Sequence, residues 1–119
     1  MSSRKRRVIM EDCLFCKFAN NELQTVKLYE DDVMFIIKDI APKAKNHFLC
    51  ISKKHFKFIT EEYGEIVGKM IGKISTLKEL LHLENGYRLV INQGDDAGQT
   101  VPHLHIHILS GQKMDWNPA

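Results

Sequence analysis

Residues 98–109 read GQTVPHLHIHIL and contain three of the six histidines of the chain. The three lie at alternate positions, 103, 105 and 107. Successive side chains of a β-strand point to opposite faces, so His103, His105 and His107 would share one face while Leu104 and Ile106 face the core. This stretch therefore predicts a half-buried strand that carries a row of imidazoles about 6–7 Å apart.

Three interpretations of this histidine row compete. The first is chance clustering on a solvated polar face, and the second is a metal site, since neutral imidazole is a common ligand. The third is nucleophilic catalysis, in which one neutral imidazole attacks a substrate and its neighbours orient it or hold the substrate. The middle residue, His105, is the natural nucleophile because it is flanked on both sides. If the row only bound a metal, the adjacent Gly-Gln-Thr turn would have no function in the site.

Further motifs across the chain resemble one known family. Besides residues 99–109, they are residues 35–39, 47–49, 53–55, 87–94 and 112–118. The set is similar to the Hint branch of the histidine triad (HIT) family of nucleotide hydrolases and transferases, from about residue 12 onward. The resemblance implies an α+β, HIT-like fold with a five-stranded antiparallel sheet, one long helix and one short helix, paired as a homodimer.

Bulk properties limit the class of protein. With 119 residues, 44% of them hydrophobic and 27% charged, the sequence is typical of one globular domain, which we place at 12–119. The net charge of +2 is too small to indicate a specific nucleic-acid partner, and much of it lies in a basic tail, residues 1–11, that we expect to be disordered. No membrane-spanning run or signal peptide is apparent in the sequence, so we expect a cytoplasmic or nuclear protein with reduced thiols.

Hydrophobic periodicity predicts the elements. A short helix is expected over 14–20, a hairpin over 26–30 and 33–38, and further strands over 47–52 and 87–92. A long amphipathic helix is expected over 60–81, with Thr60 as its N-cap. Gly64, Gly68 and Gly72 form a strip along this helix. The strip predicts close packing, either on the protein's own sheet or on a second subunit.

Cys13 and Cys16 form a Cys-x-x-Cys pair, which in a reducing compartment is typical of a metal or redox site. A closed zinc site needs two more ligands. The candidates are His47, His55, His82 and His103. The resemblance to zinc-containing HIT proteins implies a structural zinc on Cys13, Cys16, His47 and His103. The alternative is two free thiols beside a short helix, and His55 is interpreted as a surface or capping residue without a role.

The resemblance also implies the catalytic roles at matching positions. His105 would form a nucleotidyl-histidine intermediate that water then hydrolyses. His107 and the Thr100 hydroxyl would contact the phosphoryl oxygens or the leaving group, and Gln99 and the Gly98 backbone would steady them. His103 is either a zinc ligand or a residue that orients the nucleophile.

The implied nucleotide site extends beyond the row. Asp39, at the end of a strand, would bind the ribose hydroxyls. The base pocket would be lined by Leu14, Phe15, Phe18, Ile37 and Ile40. Further positions of the same nucleotide site are Asn92, Gly98, Gln99, Thr100, Val101, His105 and His107.

The function implied is hydrolysis of the P–N bond of purine nucleoside 5′-phosphoramidates, with no magnesium or organic cofactor. Alternatives are dinucleoside polyphosphate hydrolysis or nucleotidyl transfer in the same superfamily, and a nucleotide-binding scaffold or sensor with incidental hydrolysis. The tail 112–118 favours Hint, where this segment lies near the partner's active site. Thr100 stands where Hint proteins commonly have Ser, and Lys38 stands where they often have His.

Overall fold

The computed structural model describes residues 13–115, so the basic tail at 1–11 and the end of the C-terminal motif, 116–118, lie outside the described residues. Among the described residues, the α-helices are α1 (Leu14–Ala19) and α2 (Gly64–Ser75). The strands are β1 (Tyr29–Glu30), β2 (Met34–Lys38), β3 (Asn46–Ser52), β4 (Tyr87–Val90) and β5 (His105–Ser110). They form one antiparallel sheet in the order β1-β2-β3-β5-β4. The predicted α+β class, with five strands, one short helix and one long helix, is confirmed.

The predicted hairpin is formed by β1 and β2, and its turn is built around one carboxylate. Asp31 Oδ1 accepts hydrogen bonds from the backbone N–H groups of Val33, at 2.7 Å, and Met34, at 3.0 Å. Side-chain oxygens of Asp commonly close turns in this way. β1 is shorter than predicted, since its ladder holds only Tyr29 and Glu30, opposite Ile36 and Phe35.

The two faces of the sheet carry different hydrophobic clusters. On one face, α2 places Val67, Met70 and Ile74 against the side chains that alternate inward from β2, β3 and β5. On the other face, α1 places Phe15 and Cys16 against Phe35, Ile37 and Ile51. This second face also carries the histidines, so α1 and the cluster beneath it determine the surroundings of the row.

The long helix is shorter at both ends than the predicted range of 60–81. Thr60 does not cap it; its hydroxyl accepts a bond from the Tyr63 N–H at 3.3 Å in the turn before the helix. At the other end, the hydroxyls of Ser75 and Thr76 donate to the carbonyls of Gly72 and Lys73, at 2.6 and 2.7 Å. These side chains occupy carbonyls at the last turn, where Ser and Thr compete with helix continuation.

The glycine strip of α2 does not pack on the protein's own sheet. Apart from the adjacent backbone of α2 itself, a Cβ placed on Gly64, Gly68 or Gly72 would meet no atom within 4 Å in the described part of the chain. Packing on the own sheet was therefore the wrong alternative, and packing on a second subunit stays a prediction. No helix within residues 13–115 is both long and apolar enough to cross a bilayer.

Candidate active site and metal cluster

The three histidines of the row lie on the α1 side of the sheet. His105 and His107 are on β5, opposite Ile51 and Leu49 of β3, and their ring centroids are 5.2 Å apart. His103 precedes the strand, but its ring stays on the same side, because the Phe15 ring contacts both His103 and His105, at centroid distances of 5.8 and 5.1 Å. The structure therefore brings the row together, although only two of its members are in regular strand.

The tautomer of His105 is determined by a backbone acceptor. His105 Nδ1 lies 2.7 Å from the carbonyl oxygen of His103, and a carbonyl can only accept a hydrogen bond. Nδ1 must therefore carry the proton. In a neutral imidazole the lone pair is then on Nε2. His105 is buried, with 8% of its surface exposed, so its ring is held in this orientation by its surroundings.

His107 has the opposite tautomer, and a fourth histidine determines it. His47 Nδ1 accepts a bond from the Lys43 backbone N–H at 3.0 Å, so the His47 proton is on Nε2. His47 Nε2 lies 2.9 Å from His107 Nδ1 and therefore donates to it. The remaining nitrogen of His107, Nε2, carries the N–H. The Asp39 carboxylate lies beside this pair, 3.4 Å from His47 Nε2 and 4.0 Å from His107 Nδ1.

Burial keeps this pair neutral near pH 7. Desolvation lowers the pKa of His107 to about 4, and it also lowers the pKa of His47 below the ordinary value. The Asp39 carboxylate opposes both changes but does not reverse them. The neutral imidazole of His107 therefore offers an Nε2–H next to the His105 ring.

Four possible metal ligands converge at the other end of the row: Cys13, Cys16, His55 and His103. Nδ1 of His103 lies 3.4 Å from Cys13 Sγ, 3.6 Å from Cys16 Sγ and 3.1 Å from His55 Nδ1. Cys16 Sγ is 3.1 Å from His55 Nδ1. Tetrahedral zinc with Zn–N near 2.0 Å and Zn–S near 2.3 Å separates its ligand atoms by about 3.3–3.8 Å, so these four separations match a zinc site within a few tenths of an ångström.

The tautomer of His103 also suits a metal. His103 Nε2 donates to the carbonyl oxygen of Ser52 at 2.7 Å, which leaves the lone pair of Nδ1 directed at the two thiols. Burial lowers the pKa of His103 to about 4, so the ring stays neutral. Burial raises the pKa of Cys16 to about 12, and metal binding would have to displace the thiol proton.

His47 was assigned to this cluster from the sequence, and the structure places His55 there instead. The reason is the register of the sheet. His103 stands beside Ser52, at the end of β3, whereas His47 is at the start of β3. Five residues of strand separate the two ends by about 16 Å. His55 follows the end of β3 that lies beside His103. The sequence interpretation gives it no role and therefore misses it.

The residues expected around a nucleotide base are only partly brought together. Phe15, Phe18 and Ile37 pack in the cluster under α1. Leu14 is 43% exposed and borders a cleft, and Ile40, in the bend after β2, is fully exposed at 101%. Ile40 therefore does not pack against the other members of the expected pocket.

The loop before the row is braced by one glutamine. Gln99 Oε1 accepts a bond from the Gly94 N–H at 2.9 Å, and its Nε2 donates to the Lys57 carbonyl at 3.2 Å. Gly98 has a positive φ of 78°, a left-handed conformation that glycine adopts without strain. Asn92 is half-buried just beyond β4. Gln99 thus holds the turn that leads to Thr100.

A cleft of about 460 Å³ opens next to this turn, and it has three apolar and four polar lining residues. We call it the Lys57 cleft. Its lining residues are Cys13, Leu14, His55, Lys57, Thr100, Val101 and Pro102. The cleft therefore adjoins both the four possible metal ligands and Thr100, which the sequence predicts to contact phosphate.

Comparison with known proteins identifies the family. The HIT domain pattern matches residues 20–114 of this chain. The chain belongs to the HIT family. Protein HitA of Neisseria gonorrhoeae is 40% identical over 103 residues, which cover 84% of this chain and 96% of HitA. The HIT resemblance is thereby confirmed, and the Hint branch stays a prediction.

Three solved structures are similar to this fold. A HIT family hydrolase from Legionella pneumophila has a TM-score of 0.79 and 35% identity, covering 91% of this chain and 100% of that one. A Zn-bound histidine triad family protein from Mycobacterium smegmatis has a TM-score of 0.76 and 31% identity, with 89% and 79% covered. A histidine triad nucleotide-binding protein from Candida albicans has a TM-score of 0.76 and 26% identity, with 91% and 85% covered.

Proposed function

We propose that this HIT protein is a hydrolase that cleaves the P–N bond of purine nucleoside 5′-phosphoramidates. The observation that carries the proposal is the pairing of tautomers in the row, an Nε2 lone pair on His105 next to an Nε2–H on His107. A nucleophile and a hydrogen-bond donor on neighbouring rings can serve one phosphorus centre. The names of the Legionella hydrolase and the Candida nucleotide-binding protein support this class of activity.

The proposed reaction has two displacements. His105 Nε2 attacks phosphorus, the P–N bond breaks, and the amine leaves with the bonding electron pair and takes a proton from solvent. Water then attacks phosphorus, the P–Nε2 bond breaks, and its electron pair returns to His105 while the water gives up a proton. Dividing one difficult displacement into two easier ones is the usual gain of covalent catalysis.

Other residues would position the phosphoryl group. We assign the His107 N–H and the Thr100 hydroxyl to its non-bridging oxygens, with Gln99 and Gly98 holding the turn behind them. Asp39 would accept from the ribose hydroxyls, and Phe15, Phe18 and Ile37 would lie next to the base. Asn92, Val101 and Leu14 complete the proposed nucleotide site. Phosphoryl transfer depends chiefly on placement and electrostatic stabilisation, and we propose that it needs no magnesium here.

We further propose a structural zinc on Cys13, Cys16, His55 and His103. The fit of their distances to tetrahedral geometry and the Nδ1 lone pair of His103 support it, as does the name of the Zn-bound mycobacterial relative. A closed four-ligand site has no open position for substrate, so the ion would supply stability only. It would tie the start of α1 to the residue whose carbonyl orients His105.

A homodimer is proposed from two surfaces. The glycine strip of α2 admits close backbone approach, and β4 is at the edge of the sheet, where a second copy could add its own strand. Ile71, on the same helix, is 40% exposed and would be covered there. We expect the dimer in the cytoplasm or nucleus, with a purine nucleotide as the small-molecule partner.

The test of the activity compares two substrates on two proteins. Wild type and His105→Asn are assayed on an adenosine 5′-phosphoramidate of a primary amine and on a diadenosine polyphosphate. We expect strong preference for the phosphoramidate, lost in the variant. Preference for the polyphosphate would assign the other hydrolase branch, and absence of turnover with retained AMP binding would favour a sensor or scaffold.

A further inference from the structure

We propose that α1 couples zinc binding to nucleotide binding, and that Phe15 is the positioning residue that transmits the coupling. This inference rests on the proposed function, since it concerns the nucleotide site and the structural zinc assigned above. An ion in a closed site takes no part in the chemistry, so it would influence the nucleotide only through the protein between them. Three features of α1 support the proposal: the side chains it supplies to each site, the way the helix is held, and the contacts of the Phe15 ring.

The helix α1 supplies side chains to both sites. It begins directly after Cys13 and contains Cys16, so it brings both thiols to the four possible metal ligands. Phe15 and Phe18, on the same helix, are two of the proposed base contacts, and their rings stack at a centroid distance of 6.4 Å. A displacement of α1 would therefore disturb the metal ligands and the base contacts together.

Packing, more than helix propensity, must hold α1 in place. The helix has six residues, and Cys13 at its N-cap forms no side-chain capping hydrogen bond in the described part of the chain. Isolated helices shorter than about 12–15 residues are marginal in water. The buried side chains of α1 are Phe15 and Cys16, and Cys13 is buried just before them. Two thiols and one aromatic ring thus anchor the helix, and a metal ion on the thiols would strengthen that anchor.

The Phe15 ring contacts both a candidate metal ligand and the proposed nucleophile. It meets the His103 ring edge-on at a centroid distance of 5.8 Å and the His105 ring edge-on at 5.1 Å. The Phe15 side chain is 4% exposed, so it cannot shift without disturbing these imidazoles. The His103 carbonyl also accepts the hydrogen bond from His105 Nδ1, at 2.7 Å. A change at the thiols would therefore reach His105 through the Phe15 ring and through residue 103.

Two ligands that favour the same packed position of α1 favour each other. Zinc would hold the helix through the thiols, and a nucleotide would hold it through the rings of Phe15 and Phe18. By thermodynamic linkage, zinc strengthens nucleotide binding by the same factor by which the nucleotide strengthens zinc binding. Such couplings are typically about 5- to 150-fold, and we expect about ten-fold here.

Calorimetry measures the coupling directly, with AMP as the probe. We expect AMP to bind the zinc-free protein about ten-fold more weakly than the zinc-loaded protein. The zinc-free protein is prepared with a chelator, and circular dichroism checks that it remains folded. Equal AMP affinities for the folded zinc-free and zinc-loaded proteins would overturn the proposal.

The converse measurement needs only the zinc-loaded protein, so it holds even if the zinc-free protein unfolds. Zinc transfer to a coloured chelator is followed with AMP or with ribose 5-phosphate, which lacks the base. Each ligand is used at a concentration that raises Tm by the same amount, so both stabilise the whole fold equally. We expect AMP to slow zinc transfer about ten-fold more than ribose 5-phosphate does. Equal slowing by the two ligands would mean that the base does not act through α1, and the proposal would be wrong.

Phe15→Leu removes the ring but keeps an apolar side chain and all four possible metal ligands. The variant should bind zinc, and the extra protection by AMP should fall to about two-fold or less. Phe48→Leu is the matched control: Phe48 is 5% exposed but packs in the cluster on the α2 side of the sheet. It should keep the wild-type protection. Retained protection in Phe15→Leu, or loss of protection in both variants, would overturn the assignment to Phe15.

Hydrolysis of the phosphoramidate is measured separately, which separates failure of the inference from failure of the proposed function. If AMP and zinc both bind without affecting each other, the inference is wrong and the hydrolase stands. If AMP does not bind and hydrolysis does not exceed the His105→Asn level, the proposed function and the inference are both wrong. If the protein retains no zinc, the zinc site and the inference are wrong, and turnover alone decides the hydrolase.

Discussion

The two ends of the histidine row use the same side chain for different chemistry. At one end, His103 is fully buried between two thiols and a second imidazole, and its carbonyl and ring are both engaged. At the other end, His107 is partly exposed beside the Asp39 carboxylate, and its Nδ1 accepts a hydrogen bond from the Nε2–H of His47. The difference shows that hydrogen-bond partners, more than residue type, determine what each histidine can do. His105 lies between the two ends. Its Nδ1–H donates to the His103 carbonyl, and its ring lies next to the ring of His107.

Removal of the central histidine should give the largest effect and should affect catalysis alone. We expect His105→Asn to lower kcat/KM for the phosphoramidate by about 10⁴-fold or more, as for other covalent nucleophiles. Zinc content and AMP affinity should stay within a few-fold of wild type, because the ring holds neither the cluster nor the base. Steady-state kinetics, metal analysis and calorimetry check the three quantities. Retained turnover would remove His105 from the mechanism.

Disruption of the His103 end of the row, where the proposed zinc ligands lie, should lower zinc content and stability. We expect His55→Gln to lose bound zinc and to lower Tm by about 10 °C, because zinc binding is coupled to folding. Two controls sharpen this prediction: His47→Gln and His82→Gln should both retain zinc. Zinc loss in His47→Gln with retention in His55→Gln would restore the ligand assignment made from the sequence.

Disruption of the His107 end of the row should give a smaller catalytic defect. His47→Leu removes the Nε2–H group from which His107 Nδ1 accepts a hydrogen bond, so His107 loses its preferred tautomer. We expect kcat to fall roughly ten- to a hundred-fold with little change in KM, while zinc content is unaffected. A defect confined to KM would mean that His47 acts on substrate binding and not on the donor at His107.

The His107 end of the row should also make the stability of the fold modestly sensitive to acid. Burial holds the pKa of His107 at about 4, below the ordinary value of about 6.5 in an unfolded chain. Above pH 6.5 His107 is neutral in both the folded and the unfolded chain, so the stability that depends on its neutral form is fully present. As pH falls from 6.5 toward 4, the unfolded chain takes up a proton that the folded one does not, and stability decreases. His107→Gln should show a smaller fall in Tm over this range, and an equal fall would assign the sensitivity elsewhere.

The sequence predicted what depends on local periodicity. Alternation at His105 and His107 placed both rings on one face, and the turn residues around Asp31 placed the hairpin. Both follow from the two-residue period of a strand and from short-range hydrogen bonds, which need no knowledge of the partner strands.

What the sequence did not predict depends on register or on local competition. His55 could be recognised as a candidate ligand only from the antiparallel pairing that puts the end of β3 beside His103. The helix was predicted too long because Leu81 continues its apolar spacing and reaches the core from a turn. Ile40 was assigned to a pocket by resemblance, whereas its position in a bend leaves it exposed.

Imidazole ¹⁵N NMR tests the central claim, that neighbouring histidines are held in opposite tautomers. Spectra of the zinc-loaded protein at neutral pH distinguish protonated from unprotonated ring nitrogens for each histidine. The contacts predict a proton on Nδ1 for His105 and on Nε2 for His107 and His103. A proton on Nε2 of His105 would contradict the account, because that nitrogen would have no lone pair with which to attack phosphorus.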